Sequence, residues 1–366
     1  MRHRSPGTLP QRVVKVHERT QSYTPRGEGF GAEDELQFTF SERGNLFSTL
    51  RRLRAVIDLG AGAVVSNGWL ELSLFDVFPP VQTVFQVVHD EYNFGLAKTY
   101  EPVVDVMIAH SRYYHDKLLQ EFPARGGQIH YAPYGIHLAP VMRSPRDGPL
   151  RLVFLGRLHR DKGVYDLPRI DKLLREAGVE LCWSVIGDGP ERLALQQAWP
   201  ENSRVHYSRP ATNEGVLQLC AEGDVFVFPT RFEGFPVALL EAMSTGLVPV
   251  VSDLPSGIPE VVVAGVGFRV PVGDSEGFAS AILQLVNDRD GLESMSKAAR
   301  KQAERFDIRD RASAYHELFA RWAEFKRPRP KSTGIYRGSR LDQPWLPNSL
   351  VYALRTLRNR VLPWQR

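Results

Sequence analysis

Two glutamates with seven residues between them, Glu233 and Glu241, bracket a predicted helix start in the stretch 225–262. The run Val225–Phe228 is apolar throughout and reads as a buried parallel strand, since neither of its faces calls for polar residues. Pro229 and residues 230–234 break that strand. Pro236 stands where a first helical turn begins, a position where the missing N–H costs no hydrogen bond. Residues 237–245 follow as a helix that Gly246 ends, and 248–251 form the next strand. Glu233 therefore lies beside a ring of free backbone N–H groups at a strand end, where open parallel sheets bind ligands.

Other residue types with chemical capacity fall at similar places. Arg157 and Lys162 flank the turn after the first strand of the second half of the chain. An arginine there can clamp a diphosphate in two places and a lysine adds a point charge, although a plain surface pair on a loop fits the same spacing. The glycines of GDGP, Gly187 and Gly189, follow a strand and precede a helix. They suit close backbone approach to a ligand or an ordinary strand-to-helix turn. His89–Asp90 closes the strand VFQVVHD, and Ser111 and Tyr134–Gly135 lie at other strand ends. Such a histidine either faces a ligand or is held by its neighbouring aspartate. No Asp-x-Asp metal signature stands in a suitable place, and Cys182 and Cys220 have neither metal-ligand spacing nor the look of a disulfide pair.

Three segments, FLGRLHRDKG (154–163), VIGDGPER (185–192) and EGFPVALLEAMSTGLVPVVS (233–252), occur in an order and spacing that resemble the retaining family 4 glycosyltransferases. The resemblance covers most of 150–325 and, more weakly, 45–137. It implies an α/β chain of the GT-B fold: two Rossmann-like domains with a cleft between them. It also implies that Arg157 and Lys162 bind the donor diphosphate. Gly234, Phe235 and Val237 then present backbone N–H groups to it, with Pro236 among them as part of the same binding loop, and Gly187 and Gly189 approach the base or ribose. Glu241 accepts from the ribose hydroxyls, Glu233 meets the donor-sugar hydroxyl beside the reacting carbon, and His89 faces that sugar across the cleft. Ser256–Gly257 with Pro259–Glu260 resembles the family's Gly-Gly-x-Pro-Glu turn, a wall of the donor pocket. The implied reaction is metal-independent transfer of a hexosyl group, with retention, from a UDP-, GDP- or ADP-sugar to a glycan or lipid-linked acceptor. Nucleotide-sugar is a substrate here, and no cofactor is expected.

The sequence departs from the family at its start. A strand, a glycine-rich loop and a long helix are expected before Leu46, and only the short runs 13–16 and 36–40 read as strands there. The N-terminal domain is abbreviated, which keeps open a non-catalytic or partner-dependent subunit. A nucleotide-sugar epimerase of the same fold is a further alternative. A glycosidase pair formed by Glu233 and Glu241 fits less well, because a hydrolase has no use for phosphate-directed cations.

Length and composition agree with two domains. A chain of 366 residues exceeds one typical core, and 43% hydrophobic with 24% charged residues is a globular composition. We expect an acceptor-side domain over 1–142, a linker at 143–149, a donor domain over 150–305, a helix at 306–325 crossing back, and a basic tail over 326–366. In the first domain, strands are expected at 63–66, 84–88, 104–109 and 129–132, with a helix over 46–59. The donor domain should alternate strands at 152–155, 181–186, 205–207, 225–228, 248–251 and 268–270 with helices. No apolar run spans a membrane, and the expectation is a cytoplasmic protein.

The tail carries ten Lys/Arg against Asp342 alone, a net +9; the whole chain is +4, leaving −5 for residues 1–325. Residues 348–362 have helical spacing, with Leu350, Leu354, Leu357 and Val361 on one face and Trp345 and Trp364 to either side. That stripe is expected either to dock on the enzyme body or to meet an anionic inner leaflet as a peripheral membrane anchor.

Overall fold

The computed structural model describes residues 13–18, 35–40, 50, 62–77, 80–328 and 346–361. Of the predicted helix over 46–59 only Leu50 is among them, helical and buried. In chain order the strands are β1 (Val13–Glu18), β2 (Glu35–Phe40), β3 (Ala63–Ser66), β4 (Thr83–Val88), β5 (Val106–Ala109) and β6 (Ile129–Tyr131). Then follow β7 (Leu150–Leu155), β8 (Leu181–Ile186), β9 (Val205–Ser208), β10 (Val225–Phe228), β11 (Val248–Ser252) and β12 (Phe268–Val270).

The chain divides into two compact units. One comprises Met1–Val84, Lys98–Asp105 and Lys326–Arg366. Within it β1 and β2 pair in parallel, Val13 opposite Glu35 through Glu18 opposite Phe40. The helix Trp69–Val77 buries Leu70, Leu72, Leu74 and Phe75, and the Ser73 hydroxyl meets the Tyr100 hydroxyl at 2.8 Å. Asp105 is a buried anchor. Its carboxylate accepts from the backbone N–H of Val84 at 2.8 Å and of Arg327 at 3.0 Å. Strand β5 starts two residues later than expected because Val103 and Val104 turn their N–H groups onto the Tyr100 carbonyl.

The second unit comprises Phe85–Ala97 and Val106–Phe325. Its larger sheet has six parallel strands in the order β12-β11-β10-β7-β8-β9. Counted from β7, this is the doubly wound 3-2-1-4-5-6 arrangement, whose topological switch point falls between β7 and β10. β10 and β11 are buried on both faces, as their unbroken apolar sequences require. Trp183, Phe154, Phe226 and Phe228 fill the core beneath the helices. The buried Asp171 carboxylate accepts from the indole N–H of Trp183 at 3.2 Å and of Trp199 at 3.3 Å. Asp224, equally buried, is gripped by Arg143 and Arg151. Residue 143 of the proline-rich connection is therefore fixed rather than free in solvent.

The same unit holds the pairing of β4 with β5 (Phe85 opposite Val106) and of β5 with β6 (Met107 opposite Ile129), all parallel. The last helical stretch, expected over 306–325, is two pieces, Ile308–Ala320 and Trp322–Phe325, interrupted at Arg321. Ile136 exchanges backbone hydrogen bonds with Phe306 and Ile308, tying the connection after β6 to the start of that stretch.

Candidate functional site

The loops that follow β7 and β10 meet at the switch point, and backbone geometry fixes their meeting. Gly163 has φ +68°, and a methyl group there would sit 1.9 Å from the Pro229 carbonyl oxygen. The Arg231 N–H donates to the Asp161 carbonyl at 2.7 Å, and the Thr230 hydroxyl donates to the same oxygen at 3.1 Å. Arg231 also clasps Asp166 through two nitrogens at 2.6 and 3.1 Å. The lock brings Lys162 against Glu233: the ammonium donates to the Glu233 carboxylate and, at 3.0 Å, to the Phe232 carbonyl. Burial raises the Glu233 pKa above the ordinary carboxylate value, and the Lys162 charge works against that rise. Arg157, five residues before Lys162, is exposed and makes no side-chain hydrogen bond or ion pair among the described residues.

The glycines of GDGP owe their presence to this loop. Gly187 has φ +141° and a methyl group on it would lie 2.0 Å from the Gly156 oxygen; one on Gly189 would lie 2.3 Å from the Leu158 oxygen. The 187–190 turn is thus laid directly on residues 156–158.

Helix Val237–Ser244 starts at Pro236, which is the capping residue rather than a member of the first turn and offers no side-chain hydrogen bond. The Val237 N–H turns back onto the Phe235 carbonyl at 3.0 Å, and the N–H groups after it keep the partial positive charge of an end without a side-chain cap. Gly257 packs its Cα on the Phe235 ring, and its N–H donates to the Gly234 carbonyl at 2.9 Å, so the SGIPE turn walls this end. Glu241 is half-buried; burial raises its pKa, and a hydrogen bond from the Asn213 side chain counters the rise.

The ends of β4, β5 and β6 face this region. A methyl group on Gly234 would lie 2.0 Å from the His89 carbonyl oxygen, so the helix start and the β4 end touch through backbone alone. The His89 ring stacks on His110 at 5.9 Å, His110 meets Tyr134 at 3.7 Å, and Tyr134 reaches Phe235 at 6.1 Å. Nε2 of His89 is 3.5 Å from the Asp90 carboxylate, so aspartate orients the ring only loosely. Burial lowers the His89 pKa, with Asp90 opposing, and drives His110 down to about 3, with His89 adding to the effect. Ser111 caps the helix Arg112–Glu121 through the Tyr114 N–H and is structural.

Sequence reasoning missed His110 and Asn213. The signal for His110 was present, because VVHD and IAHS each place a histidine immediately after a strand. Asn213 is 28 positions from Glu241, and nothing local marks it. Among the described residues no group of three or more His, Cys, Asp or Glu side chains is arranged to hold a metal ion.

Comparison with known proteins bears on this geometry directly. Residues 149–288 match the family described as glycosyl transferases group 1. The sulfoquinovosyl transferase of Arabidopsis thaliana is 32% identical over 162 residues, 43% of this chain and 31% of that protein. The putative colanic acid biosynthesis glycosyltransferase WcaL of Escherichia coli (strain K12) is 34% identical over 169 residues, 43% of this chain and 41% of that protein. The chain thus spans well under half the length of these curated relatives. Among solved structures, sucrose-phosphate synthase from Thermosynechococcus elongatus superposes with TM-score 0.70 at 18% identity, covering 86% of this chain and 90% of that one. HepE of Anabaena, in complex with UDP and glucose, gives 0.64 at 19% identity over 78% of this chain and 86% of that one. The chain has the GT-B fold of these structures.

Proposed function

We propose that the protein is a retaining glycosyltransferase that moves a hexosyl group from a nucleotide-sugar to a glycan or lipid-linked acceptor without a metal ion. The observation that carries this reading is the Lys162–Glu233 pair at the switch point, beside the uncapped start of helix Val237–Ser244. A departing nucleoside diphosphate gains negative charge as the glycosidic C–O bond breaks, and stabilisation must grow with that charge. Lys162, Arg157 and the N–H groups of Gly234, Phe235 and Ala238 supply it, in the role a divalent cation plays elsewhere. Glu233 accepts from the donor-sugar hydroxyl, Glu241 from the ribose, and His89 faces the sugar from the β4 end. The acceptor oxygen forms the new bond to the anomeric carbon on the face the diphosphate leaves, and its proton passes to a departing phosphate oxygen. Relatives solved with UDP and a sugar support a UDP-sugar as the first donor to try. The reading also puts the enzyme in the cytoplasm, peripheral to the inner membrane face.

Isothermal titration of UDP, GDP and ADP into wild type, Arg157→Ala and Lys162→Ala tests the site. Loss of a charge-assisted contact should weaken binding by about tenfold to a hundredfold, roughly 1.5–3 kcal/mol, with the fold intact. Unchanged titration by both variants would refute the assignment, and a strict requirement for added divalent metal would refute the metal-free site.

A further inference from the structure

We propose that the outward face of helix Asn348–Val361 is a docking surface for an anionic lipid bilayer. The helix is two-sided in an unusual sense. Val351 is completely buried, whereas Leu350, Leu354 and Leu357 are 46%, 41% and 59% exposed. These leucines fall within one helical face at spacings of four and three, so the exposed apolar area is a stripe and not scattered surface. Val351 gives the helix its buried contact from a different face, and the leucine stripe is left largely in solvent.

Charge selects the occupant. The segment 326–366 carries net +9, while residues 1–325 carry −5. A second copy of the chain would bring the same positive charge to the stripe, whereas an anionic leaflet brings the opposite one. Each basic residue held near such a surface strengthens binding by about 1 kcal/mol, roughly fivefold. The segment is tethered at its beginning: Lys326 donates to the Pro80 carbonyl at 3.1 Å, and Arg327 to Glu101 at 3.0 Å. Among the described residues no helix is long and apolar enough to cross a membrane, so the contact is that of a helix lying in the interface. The transferase reading supplies only the use of such a surface, bringing the donor site to a lipid-linked acceptor; the binding itself is independent of it.

The test is co-sedimentation of the full chain with vesicles of phosphatidylcholine alone or mixed with phosphatidylglycerol, at low and high salt. The partner is the double variant Leu354→Glu/Leu357→Glu, whose substituted positions are already in solvent. Wild type should pellet with anionic vesicles only, release at high salt, and partition roughly a hundredfold better than the variant. Wild type staying in the supernatant overturns the proposal, and so does a variant that pellets equally well. Self-association of wild type, abolished in the variant and without vesicle binding, overturns it too and makes the stripe a contact between copies. Nucleotide titration on the same samples separates the two readings. Vesicle binding without nucleotide binding would sink the donor site and leave this surface standing.

Discussion

Around β7–β12 the buried charges are matched. Asp224 takes hydrogen bonds from the Arg151 N–H and guanidinium and from Arg143, and Asp171 takes two indole N–H groups and Arg175. The polar atoms left over on that side, among the described residues, are the Ser252 and Ser275 hydroxyls, one Arg151 nitrogen and Nε of Arg143, whose Nη1 lies 2.8 Å from the Glu293 carboxylate. Around β4–β6 the leftover atoms are different in kind: Nδ1 of His89, Nδ1 of His110, Oε1 of Gln86 and Nε2 of His130. A hydroxyl can rotate to suit its surroundings, but a packed imidazole cannot, and a buried polar atom without a partner is costly. The six-stranded side is thus built to hold its own shape, with backbone and glycines shaping its site. The β4–β6 side carries unsatisfied, directional side chains, of which His89 and His110 follow directly on β4 and β5, and the His89 backbone meets Gly234.

The largest effect should come from breaking the matched side. Asp224→Ala strips Arg151 of its carboxylate and leaves the buried Arg143 with Glu293 alone, and should cost about 3–5 kcal/mol of stability. Urea unfolding monitored by tryptophan fluorescence would read it, and a loss under about 1 kcal/mol would mean the arginines find water instead.

The unmatched side should respond in the opposite direction. His110→Phe removes an orphaned polar atom, so stability at neutral pH should hold or rise. Acid then sharpens the contrast. In the folded protein His110 stays neutral down to about 3, while in the unfolded chain it takes a proton near its ordinary 6.5. The unfolded state thus binds more protons between those values, and stability falls as pH drops through 6.5, by at most about 1.4 kcal/mol per unit. Glu233, Glu241 and Glu260 act the other way, because their raised pKa values let the folded form take protons first. The difference between variant and wild type isolates the histidine: the variant's advantage should grow by about 1–2 kcal/mol from pH 6.5 to 5. Parallel pH curves would show that His110 charges without penalty.

The smallest effect concerns orientation within the donor side. Asn213→Ala frees Glu241 from its hydrogen bond and should weaken nucleoside diphosphate binding by a fewfold, about 1 kcal/mol. A 2′-deoxynucleotide should not register the change if Glu241 serves the ribose, and equal losses for both would remove that role.

The same contrast explains what could be read from the chain alone. Continuous apolar runs such as Val225–Phe228, closed by glycine or proline, announce buried strands, and the six-stranded side is made of them. Lys162 and Glu233 were legible because their loops carry recognisable patterns, although their mutual contact spans 71 positions. His110 was not singled out, because its significance lies in the neighbouring strand and in Tyr134. The tail shows a different limit. Spacing revealed an apolar stripe at Leu350, Leu354 and Leu357, but only the fold shows that Val351 points inward and the stripe does not.

On the proposed reading, the Lys162–Glu233 contact would make occupancy of this site an exchange rather than an addition. The ammonium already donates to a buried carboxylate and to the Phe232 carbonyl, so a diphosphate would compete with Glu233 for it. A bare nucleoside diphosphate would weaken that contact and give Glu233 nothing back. A nucleotide-sugar would weaken it and hand Glu233 a hydroxyl in return. The pair would then tax the spent product and spare the intact substrate, which turns a simple ion pair into a bias toward product departure.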